Sequence, residues 1–146
     1  MINSYCYRAM MKDPLLDLPG YSLRRAAAAM TAELVERLAP LRLRFSDVSA
    51  LLLVEANPGV TASQLGRMLD IQRANMVPLI ARLENAGLLV RKPIDGKSNG
   101  LELNQAGRHK LIEARALIDA FENDLVARVP EPHRAHLKPA LDALWR

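Results

Sequence analysis

Residues 61–103 read TASQLGRMLDIQRANMVPLIARLENAGLLVRKPIDGKSNGLEL, and a change of hydrophobic period inside this stretch decides the fold. Thr61-Ala62-Ser63-Gln64 has the pattern of a capping box, in which the Thr hydroxyl accepts from an early backbone N–H while Gln64 reaches back. Leu65, Met68 and Leu69 then mark the inward face of a short helix. A second helix follows from about Gln72, with Met76, Leu79, Ile80 and Leu83 at i, i+3, i+4 and i+7, and Gly87 stops it. Beyond Gly87 the period shortens. Leu88 to Arg91 reads as a strand, Asp95-Gly96 as a turn, and Leu101-Glu102-Leu103 as the alternating return strand. Pro78 conflicts locally with this pattern, since an interior proline removes a helical hydrogen bond. Its presence predicts either a distorted first turn or a helix that starts later than Gln72.

Working towards the N-terminus, Ser46 is placed to cap a helix with Val48, Leu51, Leu52 and Ala56 inward, stopped at Asn57-Pro58-Gly59. Before it, Leu23, Ala27, Met30, Leu34, Leu38 and Leu41 recur at spacings of three and four, painting one helical face that Pro40 ends. Towards the C-terminus, Asn104 is placed to cap a long helix in which Leu111, Ala114, Ile118, Phe121 and Leu125 form a heptad seam. Pro130-Glu131-Pro132 breaks it, and Pro132 suits the first turn of a final helix bearing Leu137, Ala140, Leu141 and Leu144. The expected fold is therefore mainly α: a winged helix-turn-helix with a small antiparallel β-hairpin wing, flanked by N- and C-terminal helices. Residues 1–18 form an N-terminal arm and 45–104 the winged region. The apolar helices of 19–44 and 105–146 exceed what that region needs for its own core, so they are read as a dimerisation region, with folding back within one chain as the alternative.

Composition narrows the function. The chain has 146 residues, half of them hydrophobic but only 4% aromatic, which favours helix packed on helix over a β-sandwich. No run approaches the roughly 18 apolar residues of a membrane span, and the first residues lack the apolar core and cleavage site of a secretory signal. Cys6 is the single cysteine, which excludes an internal disulfide and fits a cytoplasmic location. The formal charge is +4. Between Thr61 and Gly100, six Lys/Arg (Arg67, Arg73, Arg82, Arg91, Lys92, Lys97) stand against three acids (Asp70, Glu84, Asp95), an excess suited to a polyanionic partner.

The stretch Phe45–Gly107 resembles the multiple antibiotic resistance regulator (MarR) family of bacterial transcription factors. The likeness rests on the apolar helix ending at Pro58-Gly59, Thr61-x-x-Gln64-Leu65, Leu83-Glu84-x-x-Gly87-Leu88, and Asp95-x-Lys97 followed by Leu103-Asn104-x-x-Gly107. Weaker similarity covers about Leu18 to Arg146. Two positions depart from the family pattern: Lys97 stands where Arg is usual in the wing, and Asn104 where a capping Thr is usual. The resemblance implies a homodimeric, sequence-specific DNA-binding regulator, a ligand-responsive repressor acting on a pseudo-palindromic operator. It further implies wing insertion into a minor groove and a small aromatic or phenolic anionic effector. Tyr21, Arg24 and Arg25 are the residues available to such an effector.

Helical geometry assigns candidate contacts to double-stranded DNA. With Met76, Leu79, Ile80 and Leu83 inward, Ala74, Pro78 and Ala81 point outward, flanked by Asn75 and Arg82 on one side and by Arg73 and Val77 on the other. Ala74 and Pro78 suit thymine methyls, Asn75 an adenine, and Arg73 or Arg82 a guanine or phosphate. Ser63 and Gln64 open a helix and suit phosphate contact. Arg91, Lys92, Lys97 and Asn99 are the wing candidates. Each is also an ordinary exposed side chain in the bland reading, and the alanines also serve helix propensity.

Other motifs are weaker. His133-x-x-His136 places two imidazoles on one helical face, but no neighbouring Cys or acidic cluster completes a metal site. Cys6 admits a redox-sensing role as an alternative. No Gly-rich phosphate loop, His-Glu-x-x-His or nucleophile elbow occurs, so no catalytic residue, metal or cofactor is assigned and the chain is read as a non-enzyme. The rival readings are a winged-helix protein-interaction module and a small-molecule enzyme or carrier, the latter requiring a deep pocket with convergent ionisable groups.

Overall fold

The computed structural model describes residues 12–94 and 98–145. Cys6, Lys97 and the Asp95-Gly96 turn lie outside the described residues. In chain order the elements are α1 (Pro19–Leu38), α2 (Phe45–Ala56), β1 (Val60–Thr61), α3 (Ala62–Met68), α4 (Arg73–Asn85), β2 (Leu89–Pro93), β3 (Asn99–Leu103), α5 (Gln105–Arg128) and α6 (Arg134–Asp142). Short 3-10 turns occupy Pro14–Asp17, Ala39–Leu41 and Glu131–His133. The chain divides into two compact units, residues 1–33 and 34–146, so the division falls inside α1.

The first unit contains the Pro14–Asp17 turn and most of α1. Asp13 caps the turn by accepting from the Leu15 N–H at 3.1 Å. Leu23 and Ala27 are exposed and Met30 is half-buried. The apolar stripe expected along α1 is therefore buried only at its C-terminal end, where Leu34 and Leu38 join the core of the second unit.

In the second unit, chain reversals carry the architecture. After α2, Asn57-Pro58-Gly59-Val60 forms a turn closed by Val60 N–H donating to the Asn57 carbonyl at 3.0 Å. Gly59 sits at φ +85, the left-handed position that a type II turn requires, preceded by the proline that such turns favour. Gly59 N–H then donates to the Leu101 carbonyl at 3.0 Å, delivering Val60 and Thr61 to the hairpin as a third strand. The sheet order is β1-β3-β2, antiparallel throughout, with Val60 opposite Leu101 and Arg91 opposite Leu101 on the other side. The expected two-stranded wing thus has a three-stranded base.

α4 ends in a Schellman arrangement. Leu88 N–H donates to the Leu83 carbonyl at 3.0 Å, Gly87 N–H donates to the Glu84 carbonyl at 2.9 Å, and Gly87 is left-handed at φ +68. Asn104 then joins three elements. Its side-chain oxygen accepts from Gly107 N–H at 2.8 Å, capping α5, while its amide donates to the Gly87 carbonyl at 2.7 Å. The core is aliphatic: Leu38, Val48, Leu51, Leu65, Ile80, Leu83, Leu101 and Leu111 are essentially inaccessible. Two ion pairs lash α5 to its neighbours, Arg115 to Glu55 of α2 and Arg37 of α1 to Asp124 at 2.7 Å. Arg37 also lies 5.4 Å from the centre of the Phe121 ring.

Several expectations need correction. Ser46 does not cap α2, whose N-cap is Arg44. Asp47, in the first turn, accepts from the Arg44 N–H at 2.8 Å instead. Met68 is half exposed, and buried Gly66 takes the inward place beside Leu65, because a Cβ there would meet the Met76 side chain at 2.9 Å. α4 does not start late: Asn75 and Met76 N–H both bond the Gln72 carbonyl, and the helix runs through Pro78. α6 starts after Pro132, carries Pro139 inside it, and ends before Leu144. Along α5, Leu111, Ala114 and Phe121 are buried, while Ile118 and Leu125 are half-buried.

Candidate nucleic-acid interface

The capping box at Thr61 forms as the sequence predicts. Gln64 N–H donates to the Thr61 hydroxyl at 3.3 Å, and Thr61 N–H donates to Gln64 Oε1 at 2.9 Å. This fixes the start of α3, leaving Ser63 exposed on its first turn. The α3–α4 turn closes through Asp70 at φ +52, with Ile71 N–H donating to the Gly66 carbonyl at 2.9 Å. Asp is among the few side chains that tolerate the left-handed region.

α4 follows, with Met76, Leu79, Ile80 and Leu83 buried as expected. Arg73, Ala74, Asn75 and Pro78 are all exposed along its N-terminal half. Val77 is 64% exposed, an apolar contribution to this surface that the outward line did not include. Ala81, expected outward, is half-buried.

Beside α4 lies an open groove of about 600 Å³, with Ser63, Arg67, Gln72, Arg73, Val77 and Arg91 among its lining residues. It brings together Ser63, Arg73 and Arg91 from three elements. Gln64, Ala74, Asn75, Pro78, Arg82, Lys92 and Asn99 lie outside it. Arg67 is the residue that sequence reasoning counted for charge but assigned no place. It lines this groove and also a shallower one with Gln64 and Pro58. Arg67, Arg73 and Arg91 line the main groove with one acid, Asp70, and Glu84 balances Arg91, so a smaller positive excess remains of the kind that attracts a phosphate backbone.

Three of the expected contact cations are engaged within the protein. Arg82 donates from Nε to Asp47 Oδ1 at 3.1 Å, and its Nη2 pairs with the same oxygen. Arg91 forks onto Glu84, Nε to Oε1 at 2.7 Å and Nη2 to Oε2 at 3.0 Å. The Arg91 hydrogen bond holds the Glu84 carboxyl below its ordinary pKa of 4.5, and Glu84 in turn raises that of Arg91. Strand alternation explains the geometry, since Arg91 shares a sheet face with buried Leu89 and so points back towards α4. Lys92, on the opposite face, pairs with Glu102 at 2.5 Å. Asn99 is exposed at the end of the hairpin, opposite Pro93.

In the first unit, Tyr21, Arg24 and Arg25 form one cluster. Arg25 Nη1 donates to the Tyr21 hydroxyl at 3.0 Å, and the two guanidinium carbons lie 5.3 and 5.8 Å from the ring centre. Among the described residues no group of three His, Cys, Asp or Glu converges as a metal site. Nor is any described helix long and apolar enough to cross a membrane.

A family model described as MarR family matches residues 43–97, the segment from the end of the α1–α2 connection into the wing. The structure superposes on the transcriptional repressor CouR bound to a 23-mer DNA duplex with a TM-score of 0.85 and 33% identity, covering 93% of this chain and 99% of that one. This chain belongs to the MarR family. CouR bound to p-coumaroyl-CoA is likewise similar, with a TM-score of 0.82 and 30% identity over 94% of this chain and 98% of that one. Among curated members of the family's regulators, the HTH-type transcriptional repressor Rv2887 of Mycobacterium tuberculosis is 28% identical over 127 residues, 86% of this chain and 91% of the relative. MarR membership accounts for the order of α2, α3, α4 and the first wing strand β2, whose residues carry the family match.

Proposed function

We propose that this chain is a cytoplasmic, ligand-responsive repressor, without catalytic activity, that binds a pseudo-palindromic DNA operator as a homodimer. The observation that carries this reading is the exposed N-terminal half of α4. Arg73, Ala74, Asn75 and Pro78 stand clear of the core, beside a groove rimmed by Arg67, Arg73 and Arg91. The small side chains let the helix backbone approach a groove floor. Asn75 offers the paired donor and acceptor that adenine presents in reverse, and Arg73 suits guanine or phosphate. Ser63 and the amide nitrogen of Gln64 serve the phosphate backbone at the start of α3. Asn99 serves it from the other side, and the sequence pattern adds Lys97 as a further contact. The half-buried Ile118 and Leu125 of α5 supply the dimer seam.

The effector is a small aromatic or phenolic anion. Tyr21 with Arg24 and Arg25 supports this, since one ring and two guanidinium groups match an aromatic body carrying an acid. CouR, which binds p-coumaroyl-CoA, is consistent with the same chemistry.

Genomic footprinting with the purified protein tests the function, and the protected promoter then serves as the binding probe. Asn75→Ala should cost about 1–3 kcal/mol on that duplex and much less on random DNA, with an unchanged salt slope because no charge is removed. Circular dichroism checks that α4 stays folded. A genome with no protected site would sink the proposal, and equal losses on both duplexes would make Asn75 a non-reading contact.

A further inference from the structure

One charged side chain is fully buried among the described residues, and DNA contact gives it no task. Asp47 is 2% exposed at its side chain and sits in the first turn of α2. Its Oδ2 accepts from the Arg44 N–H at 2.8 Å, so the carboxylate is fixed to the helix start, where the helix dipole also favours it. Its Oδ1 receives Arg82 through both Nε and Nη2. The pair spans 35 residues of sequence and joins α2 to α4.

We propose that Arg82 is a positioning residue rather than a DNA contact, and that its pairing with Asp47 sets the rotation of α4 about its own axis. The inference rests on α4 being the DNA-reading helix. The inward face of α4 is Met76, Leu79, Ile80 and Leu83, and aliphatic packing has no direction. Such a face tolerates small rotations that a forked guanidinium on a fixed carboxylate does not. Seven residues separate Arg82 from Asn75, and at 3.6 residues per turn they return to within about 20° of the same azimuth. Pro78 lies between them, four residues from Arg82. One stripe of α4 therefore has its C-terminal end pinned to α2 and its N-terminal end exposed. Holding Arg82 in place holds Asn75 in register, roughly 10 Å further along the helix. Arg82 remains 35% exposed; its azimuth beside Asn75 is why helical geometry alone placed it on the outward side.

The test uses the full chain and a duplex that it selects from a pool with a random segment of about 24 base pairs, long enough for two half-sites one helical turn apart. A scrambled duplex is the control. Asp47→Asn and Arg82→Met should each weaken binding to the selected duplex by about tenfold or more, the effect of losing one base contact. The double variant should lose no more than either alone, while scrambled-DNA affinity and the salt slope stay constant. If Arg82 instead contacts DNA, Arg82→Met lowers the salt slope by about one unit and Asp47→Asn does not weaken binding, which overturns the proposal. Should Arg82→Met fail to fold, Arg82→Lys carries the comparison, since it keeps the charge and loses the fork. Unchanged operator affinity in that variant overturns the proposal equally.

Hydrogen exchange without DNA provides an independent arm. Asp47→Asn should speed exchange of α4 amides by about tenfold or more while α5 is unaffected. If the wild-type protein selects no duplex, the DNA reading falls, and the exchange result alone decides whether the pair holds α4. Equal protection in wild type and variant would overturn it.

Discussion

Gly107 is the position where one added carbon does the most damage. A Cβ built there lies 2.1 Å from the Leu88 carbonyl oxygen, 3.0 Å from the Leu88 carbonyl carbon and 3.4 Å from a Leu103 methyl. Reaching even 3.0 Å from the oxygen needs a shift of 0.9 Å, and the neighbours cannot easily give. The adjoining Gly87 carbonyl is held by Asn104 at 2.7 Å, and Leu88 N–H is committed to the end of α4. Overpacking of this kind costs about 1–3 kcal/mol. Straining the two Asn104 hydrogen bonds adds about 0.5–1.5 kcal/mol each, and the better helix propensity of alanine returns about 1 kcal/mol. Gly107→Ala should therefore destabilise by about 1–5 kcal/mol, which for a chain of this size lowers the Tm by roughly 3–20 °C. Urea melts followed by circular dichroism, at one fixed protein concentration, measure it. Gly20→Ala is the control, since a Cβ at Gly20 meets nothing within 4 Å. A Gly107→Ala protein within about 0.5 kcal/mol of wild type, the usual range for harmless surface changes, would refute the close-approach argument.

Two further outcomes follow from the ion pair at the wing and from the seam on α5. Glu84 is held below its ordinary pKa of 4.5 by Arg91, so the pair stabilises the fold above that pH and the contribution is lost as pH falls through the lower folded-state value. Arg91→Gln should thus be less stable than wild type at neutral pH, with the difference vanishing on acidification; a difference that grows below pH 4.5 would contradict it. Replacing Ile118 and Leu125 together with Glu should abolish both dimerisation and DNA binding, as followed by sedimentation and anisotropy. A wild-type protein that sediments as a folded monomer at micromolar concentration would remove the basis for that expectation.

Local chemistry was legible in the sequence wherever a residue acts on its near neighbours. Thr61 with Gln64, Asn104 with Gly107, and Gly87 after Leu83 were readable because caps and turns operate over three to five residues. The inward face of α4 was readable because four apolar residues repeat at helical spacing. β1 was missed because two residues are too few to display a period, and only the sheet register makes Val60 and Thr61 a strand. The reach of Asp47 to the Arg44 N–H is equally local, and Ser46 was preferred only for its residue type; what distance hid was the pairing of Asp47 with Arg82. The same distance hid the inward turn of Arg82. For Arg91, alternation was the available signal: two residues from Leu89, it had to share that residue's inward face. Pro78 remained compatible with α4 because the helix was long enough on both sides to carry the interruption.

The order β1-β3-β2 leaves β2 as the longer of the two outer strands, an exposed row of backbone groups of the kind that can template unwanted pairing with another chain. Its last three residues are Arg91, Lys92 and Pro93. The proline cannot donate to an approaching strand, and the charged Arg91 and Lys92, paired with Glu84 and Glu102, make the edge a poor apolar template. On the far side, β1 is only two residues long and runs directly into α3, too short to nucleate a ladder. The described strands of the hairpin are thus protected at both margins against accretion and do not become a seed for aggregation.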